Sequence, residues 1–514
     1  MRHDDAGARE PLSILFSMRN YWYVRHFEPV VRALAARGHH VRLVAERPTN
    51  ERAEDWHEAA SALAADVGGL TYETAPRAHE DDWYDLRLIL RLGLDYARFM
   101  RPEYRALSPL VTRARQRTPR WLRRVVESPI GRSRAGRAAL TRTLAAAEAC
   151  VPPDPALAAF IESARPDLVV VTPLVELGSE QADVVRVARR LGIPAALCVG
   201  SWDHLSSKGL IRTVPDRVFV WNETQRWEAI EMHGVPGDRI EVTGAQVFDQ
   251  WFDRQPTLGR EAFCRKVGVD ASRPYVLWVC SALFEGSPSE AMFVARWAEA
   301  LRASGDPVLR DAGILVRPHP KRGVEWRDVD VSRLAGVALW PPQASAPVTA
   351  VSKADYFDSL FHSAAVVGLN TSAQIEAGIV GRPVHTILVP ELEGNQEGTL
   401  HFRYLLDGGL LRSARTFEHH LAQLGASLRE PAESQRNRAF VESFVRPRGL
   451  DQPATPVLTS ALERLAGTGP QPAGVSMRER LVRRALAPLA KATSGRFAEQ
   501  VGRERRRRAE AAAR

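Results

Sequence analysis

The stretch F-H-S-A-A-V-V-G-L-N-T-S-A-Q-I-E-A-G-I-V-G-R-P, from Phe361 to Pro383, decides the fold. Ala364 to Gly368 is a short apolar run that reads as a buried strand. A small-residue turn follows at Asn370, Thr371 and Ser372, and then a helical segment with Glu376 in its first turn. A strand feeding a Ser/Thr-rich helix start puts free backbone N–H groups and the positive end of a helix dipole at the strand's carboxyl edge, an arrangement that binds phosphate. Glu376, four residues after Ser372, is placed to reach a ribose hydroxyl while the turn holds a diphosphate. A capped helix that binds nothing would use the same residue types.

Working outward, short apolar runs alternate with helical patterns twice along the chain. In the first half the strands read Ser13 to Met18, His40 to Ala45, Asp167 to Thr172, Ile193 to Val199 and Arg217 to Trp221. An amphipathic helix runs from Phe27 to Gly38. After a hinge at Trp251 to Thr257 the pattern begins again, with strands Pro274 to Cys280, Gly313 to Pro318, Ala364 to Gly368 and Pro383 to Leu388. Continuous apolar strands between helices indicate parallel sheets covered on both faces. The expected class is α/β, with two Rossmann-like doubly wound domains facing across a cleft. Residues 1–250 form the first domain, interrupted by an Arg-rich helical insertion at 84–150. Residues 251–465 form the second, and 466–514 a linker and basic amphipathic tail.

Composition is that of an ordinary globular chain, with 45% hydrophobic and 25% charged residues over 514 positions. The four cysteines (Cys150, Cys198, Cys264 and Cys280) form no C-x-x-C pair and have no zinc-type His spacing, so they read as core residues in a reducing compartment. The N-terminus lacks a signal-peptide core, which predicts a cytoplasmic protein. The net charge of +9 is unevenly placed: residues 101–150 hold twelve Arg against three Glu, and 475–514 hold eleven Arg and one Lys against four Glu. Basic appendages suit nucleic acid or an anionic membrane. No nucleic-acid motif is present, so no nucleic-acid partner is expected. In the tail, Leu481, Val482, Ala485, Leu486 and Leu489 share a helical face flanked by Arg478, Arg480, Arg483 and Arg484, the pattern of an interfacial helix. Peripheral attachment to the inner face of the cell membrane, through insertion and tail, is the expectation.

Ligands of doubly wound sheets sit at the carboxyl ends of strands, and the unusual segments follow strands here. They are Arg19 to His26, Gly200 to Gly209, S-A-L-F-E-G from Ser281, R-P-H-P-K-R from Arg317, and Val389 to Phe402. These residues resemble the GT-B superfamily of nucleotide-sugar glycosyltransferases. The turn with Glu at plus four and then G-x-P is similar to lipid A disaccharide synthase and to the peptidoglycan N-acetylglucosaminyltransferase. That resemblance implies a diphosphate on Thr371 and Ser372, a ribose on Glu376, and a donor sugar near Asn395-Gln396-Glu397. R-P-H-P, and Trp202 to Lys208, resemble the CDP-glycerol glycerophosphotransferases; only Trp202 and Lys208 coincide in the second motif, since Asp203 and His204 replace its His and Gly.

The chemistry such a transfer needs is a grip on the diphosphate, relief of its charge, and a base for the acceptor hydroxyl. Arg317, His319 and Lys321 are candidates for the charge, with Ser281 and Asn370 beside the donor, and no metal or cofactor beyond the nucleotide-diphosphate sugar is expected. The base candidates are Asp203, then His204, then His26. Tyr21, Trp22 and Tyr23 read as an aromatic platform for an acceptor. The expected activity is a metal-independent, inverting glycosyl transfer to a surface-glycan or lipid-linked acceptor. The alternatives are a CDP-linked polyol-phosphate transferase, a nucleotide-sugar epimerase, and a non-catalytic membrane-surface scaffold. No G-x-G-x-x-G follows either domain's first strand, which argues against a dehydrogenase.

Overall fold

The computed structural model describes residues 10–46, 53–77, 81–104, 108–430, 434–469, 472 and 474–497. The first nine residues and the tail beyond 497 lie outside them, so the reading of the extreme N-terminus and of the last basic cluster is not addressed. The chain forms two units, Met1–Val247 with Pro453–Arg514, and Phe248–Gln452.

The first unit is built on a seven-stranded parallel sheet. Its strands are β1 (Ser13–Met18), β2 (His40–Ala45), β3 (Leu70–Thr74), β4 (Leu168–Thr172), β5 (Ala195–Cys198), β6 (Arg217–Val220) and β7 (Ile240–Val242), in the order β3-β2-β1-β4-β5-β6-β7. Side chains alternate across β1. Ile14, Phe16 and Met18 pack into one apolar layer with Phe27, Val31 and Leu34 of the helix Val24–Ala36, whereas Leu15 joins Val184, Val185 and Ala188 on the other face. Order reverses between β1 and β4. There the buried Gln181 amide donates to Ser17 O at 3.0 Å and Thr172 O at 2.9 Å, and its carbonyl accepts Leu174 N–H at 2.9 Å.

The second unit repeats the plan with six parallel strands: β8 (Tyr275–Val279), β9 (Gly313–Arg317), β10 (Val337–Leu339), β11 (Ala365–Gly368), β12 (Val384–Ile387) and β13 (Leu411–Ala414), ordered β10-β9-β8-β11-β12-β13. Val276 and Trp278 pack with Phe293, Val294 and Trp297. The end of the hinge is fastened to this unit by the buried Asp358, whose carboxylate accepts Thr257 and Leu258 N–H, each at 2.9 Å. The two halves are thus Rossmann-like domains of parallel sheet, as the alternation of the sequence predicts, and two such domains in one chain are the elements of the GT-B plan.

One boundary differs from expectation. The helix Ala454–Ala466 falls with the first unit, not the second: Leu458, Ala461, Leu462 and Leu465 are buried in the layer formed by Val30, Val31 and Leu34. Its Glu463 carboxylate meets Arg37 at 2.9 Å and His39 at 3.0 Å. The apolar stripe is visible in the sequence, but the sheet it covers is not.

The insertion is helical as predicted, and its first helix, Tyr84–Phe99, carries arginines inward. Arg91 pairs with Glu148 at 2.9 Å and Asp183 at 2.5 Å, and Arg212 pairs with Asp95 at 2.8 Å, all buried. The tail helix Met477–Thr493 lies along the insertion. Leu486 and Ala490 join a cluster with Leu86, Leu90 and Leu144, and Glu479 pairs with Arg190 at 2.7 Å. Leu486 and Ala490 therefore turn inward, while Leu481 and Leu489 of the same predicted face stay exposed.

Two outcomes follow for stability. Leu462→Ala, at a fully buried site, should cost about 2–5 kcal/mol; hydrogen exchange should accelerate at β1 and β2 and stay slow at β8 and β11. The opposite distribution would return this helix to the second unit. The other concerns Glu290, whose buried carboxyl is pushed by desolvation to about 8 although it accepts Ser281 N–H at 2.7 Å and Trp278 Nε1–H at 3.2 Å. The folded chain keeps a proton that the unfolded chain releases, so stability falls as pH rises from about 4.5 to about 8. Glu290→Gln should flatten that decline in a melting series; an unchanged slope would mean the carboxyl ionises freely.

Candidate functional site

At the carboxyl edge of the first sheet, successive strand ends deliver charged groups to one region. Arg19 follows β1 and Glu46 follows β2, and they pair at 3.3 Å. Burial pushes the Glu46 carboxyl up to about 7 against the pull of the Arg19 guanidinium. Glu176, beyond β4, pairs with Lys208 at 3.4 Å, and the Lys208 ammonium holds it down to about 2. Sequence reasoning passed over Glu46 and Glu176, and named Arg19 only as the start of the loop after the first strand. The available signal was positional: Arg19 and Glu46 are each the first residue after a strand.

Beyond β5 the chain turns through Gly200 to Lys208. The half-buried Asp203 carboxylate accepts hydroxyls from Ser201 at 2.6 Å and Ser207 at 3.0 Å. His204 is buried; desolvation lowers it to about 4 against the Asp203 charge, so the imidazole is neutral at pH 7. Its Nδ1 has no hydrogen-bond partner among the described residues. His26 differs. Its Nε2 accepts Arg25 Nε–H at 2.9 Å, which leaves the proton on Nδ1 for Gly200 O, and burial together with Arg25 lowers its pKa well below the usual histidine value. Both ring nitrogens of His26 are committed, so the structure assigns it a positioning place beneath the Gly200 turn and not that of a free base.

Tyr23 lies between these rings, 5.7 Å from each centroid. The expected aromatic platform is thus corrected. Tyr21 and Tyr23 are buried, Tyr21 donating to Glu73 O at 2.6 Å. Trp22 stays half-buried, against Trp56 and under the Arg25 guanidinium 3.5 Å from its ring. Of the two residues that coincide with the glycerophosphotransferase motif, Lys208 pairs with Glu176 and Trp202 is buried. Two arginines of the insertion hold this turn from behind. Arg98 donates to Lys208 O at 2.5 Å, Gly209 O at 2.8 Å and Leu205 O, and Arg113 donates to Ser207 O. They satisfy carbonyls that the four-residue helix His204–Ser207 leaves open.

In the second unit, β9 and β11 flank β8, and their ends converge on Tyr356. Its hydroxyl donates to Glu376, and Arg317 lies 4.9 Å above its ring. Arg317 is buried, with Nη1 3.5 Å from Ser359 Oγ, and desolvation lowers it to about 10, so it remains charged at pH 7. His319 is half-buried, its Nδ1 accepting Lys321 N–H at 3.2 Å, and Lys321 is exposed. Tyr356 carried no signal as a site residue, since it sits within the helix Ala350–Phe361.

The turn at Asn370 departs from the expected free amides. Asn370 N–H donates to Ser281 Oγ at 3.0 Å, Thr371 N–H to Gln374 Oε1 at 3.2 Å, and Ala373 N–H to Thr371 Oγ1 at 3.4 Å. Ser372 is exposed and makes no side-chain cap to the helix Ala373–Ile379. The Asn370 amide donates to Asn395 O, while Asn395 bonds Phe284 N–H at 2.7 Å and Ser287 Oγ at 2.8 Å. Ser281, Asn370 and Asn395 therefore lace the loops after β8, β11 and β12 together. Gln396, expected beside the donor sugar, is buried and donates to Ile387 O at 2.9 Å and to Leu369 O and Thr386 Oγ1 at 3.3 Å each. It staples strand ends.

No family model matches the chain, and no curated protein matches it. Among solved structures it is similar to UDP-GlcNAc 2-epimerase from Neisseria meningitidis bound to UDP-GlcNAc, at 12% identity and a TM-score of 0.49, covering 88% of this chain and 99% of that one. A glycosyltransferase from Rickettsia africae is similar at 10% identity and 0.49, covering 90% and 100%. WaaG, a glycosyltransferase involved in lipopolysaccharide biosynthesis, is similar at 13% and 0.42, covering 88% and 100%. Identities of this size leave the chemistry to be read from the chain's own residues.

Proposed function

We propose that the protein is a metal-independent, inverting glycosyltransferase that moves a sugar from a nucleotide-diphosphate donor to a surface-glycan or lipid-linked acceptor. The observation that carries this reading is the meeting of Glu376 and Arg317 at Tyr356, where two strands flanking β8 end. A nucleoside diphosphate needs a carboxylate for its ribose hydroxyls and cations for its phosphates, and the second unit supplies both at one sheet edge. In this reading Glu376 holds the ribose. Thr371 and Ser372 contact the diphosphate, and Arg317, His319 and Lys321 offset its charge as it leaves.

The first unit takes the acceptor. An imidazole that is neutral at pH 7 and whose buried Nδ1 bonds no group among the described residues has a ring nitrogen uncommitted for a proton, once the turn shifts to admit an acceptor. In this reading His204 is the base, with Asp203, bonded to two hydroxyls, holding the turn and raising the basicity of His204. That reverses the order expected from sequence. The proton passes from the acceptor hydroxyl to His204 Nδ1 as the oxygen bonds to the sugar carbon and the nucleotide diphosphate departs.

Two measurements test the assignments. In thermal shift against UDP, GDP, CDP, TDP and ADP, one nucleotide should stabilise the wild type by about 2.7 kcal/mol at a hundredfold excess over its Kd, and Glu376→Ala should lose that shift. Equal shifts in both proteins would remove Glu376 from the ribose, and a response to CDP alone would favour the polyol-phosphate reading. For the base, His204→Gln should lower turnover by about a hundredfold or more while the nucleotide shift persists. A larger loss in Asp203→Asn than in His204→Gln would restore Asp203 to that role.

A further inference from the structure

The insertion carries a surface that folding does not account for. In the helix Arg120–Glu127, Leu122 and Val126 are buried, so the core-facing side is already apolar. The adjoining, outward side is apolar too. Trp121 is 56% exposed and Val125, one turn on, 44%; Ile130, in the following short helix Pro129–Arg132, is 76% exposed. A helix whose apolar stripe runs on past the core into solvent leaves a hydrophobic patch that marks an interface.

The surroundings specify that partner. From Arg113 to Arg137 the chain holds nine arginines and a single acid, Glu127. Glu127 is itself engaged, by Arg115 at 2.6 Å and the Tyr96 hydroxyl at 2.5 Å. Arg120, Arg124, Arg132 and Arg134 are exposed around the apolar side chains. Tryptophan and aliphatic side chains set in a field of arginine suit the headgroup boundary of an anionic bilayer, where the rings enter the acyl edge and the guanidinium groups meet phosphate. Among the described residues no single helix is long and apolar enough to cross a membrane. One bent pair, Arg134–Cys150 with Pro155–Ala164, meets the criterion by composition, but its Leu144, Leu157 and Ile161 are core residues.

We propose that Trp121, Val125 and Ile130, with the arginines around them, form a docking face for an anionic lipid bilayer, on which the protein lies without spanning it. The tail helix, expected from sequence to share this role, spends Leu486 and Ala490 on the insertion and is secondary. The face is continuous in the chain with Arg113, which holds the Ser207 carbonyl of the His204 turn, so a docked insertion is joined to that turn through Arg113 as well as Arg98. The proposal goes beyond the transfer reading and stands without it.

The test is flotation of the full chain, without nucleotide, on phosphatidylcholine vesicles with and without phosphatidylglycerol. Binding should require phosphatidylglycerol and weaken as salt rises. Combined Trp121→Ser, Val125→Ser and Ile130→Ser should weaken it at least about tenfold, with circular dichroism melting unchanged. Should that variant fold poorly, combined Arg120→Gln, Arg124→Gln and Arg132→Gln should weaken binding and flatten its salt dependence. No vesicle binding, equal binding to neutral vesicles, or full binding by both variants would overturn the proposal. So would loss of binding in Leu481→Ser with Leu489→Ser but not in the insertion variants, which would move the face to the tail.

Discussion

All strands of both sheets run parallel, and this one constraint organises the molecule. Parallel strands send every outgoing loop to one edge, and where strand order reverses, neighbouring loops leave to opposite faces. The backbone groups exposed at that parting have no strand partner and need side chains. In the first unit Gln181 fills the parting between β1 and β4 with bonds to both strands. In the second, Ser281 and Asn370 join the loops after β8 and β11. The charged groups at the strand ends, Arg19, Glu46, Glu176, Asp203 and His204 in one unit and Arg317 and Glu376 in the other, all stand at these carboxyl edges.

The strands that could be read from sequence are those in the interior of each sheet. β1 and β2 match residue for residue, and the other interior strands agree to within a residue or two at their ends. The four that escaped notice, β3, β7, β10 and β13, are the four sheet edges. An edge strand is covered less completely, as the half-exposed residues of β3 and β10 show, so its apolar signal fades into that of a loop. The site was legible to the level of loops, not of bonds. The sequence places His204 ahead of His26 by its loop alone, and it is the Arg25 contact on one and the unpartnered, buried Nδ1 of the other that separate them physically. Gln396 likewise became a strand staple because buried carbonyls surround it.

Arginine shows why composition alone misleads. The same residue type that gives the insertion its basic character is turned inward at Arg91 and Arg98, where carboxylates and main-chain carbonyls take up the terminal nitrogens of the guanidinium. It is turned outward at Arg120 and Arg124. Inward arginines add specificity of packing, since a buried cation tolerates only the geometry that satisfies it. Outward ones set a long-range field. Spacing in the sequence did not separate these roles; the carboxylates that decide them, Glu148 and Asp183, lie tens of residues away.

The return of residues 454–466 to the first unit has a consequence for how the protein is made. A ribosome releases β1, β2 and the helix beside them early, yet Leu458, Leu462 and Leu465, which complete that apolar layer, emerge more than two hundred residues after β7. The second unit is continuous from Phe248 to Gln452 and has all its parts before the first does. The N-terminal sheet must therefore wait, with one face incompletely covered, while the domain behind it is synthesised. During vectorial synthesis the order of completion runs opposite to the order of the chain, and the half-built first domain is the species that chaperones would meet.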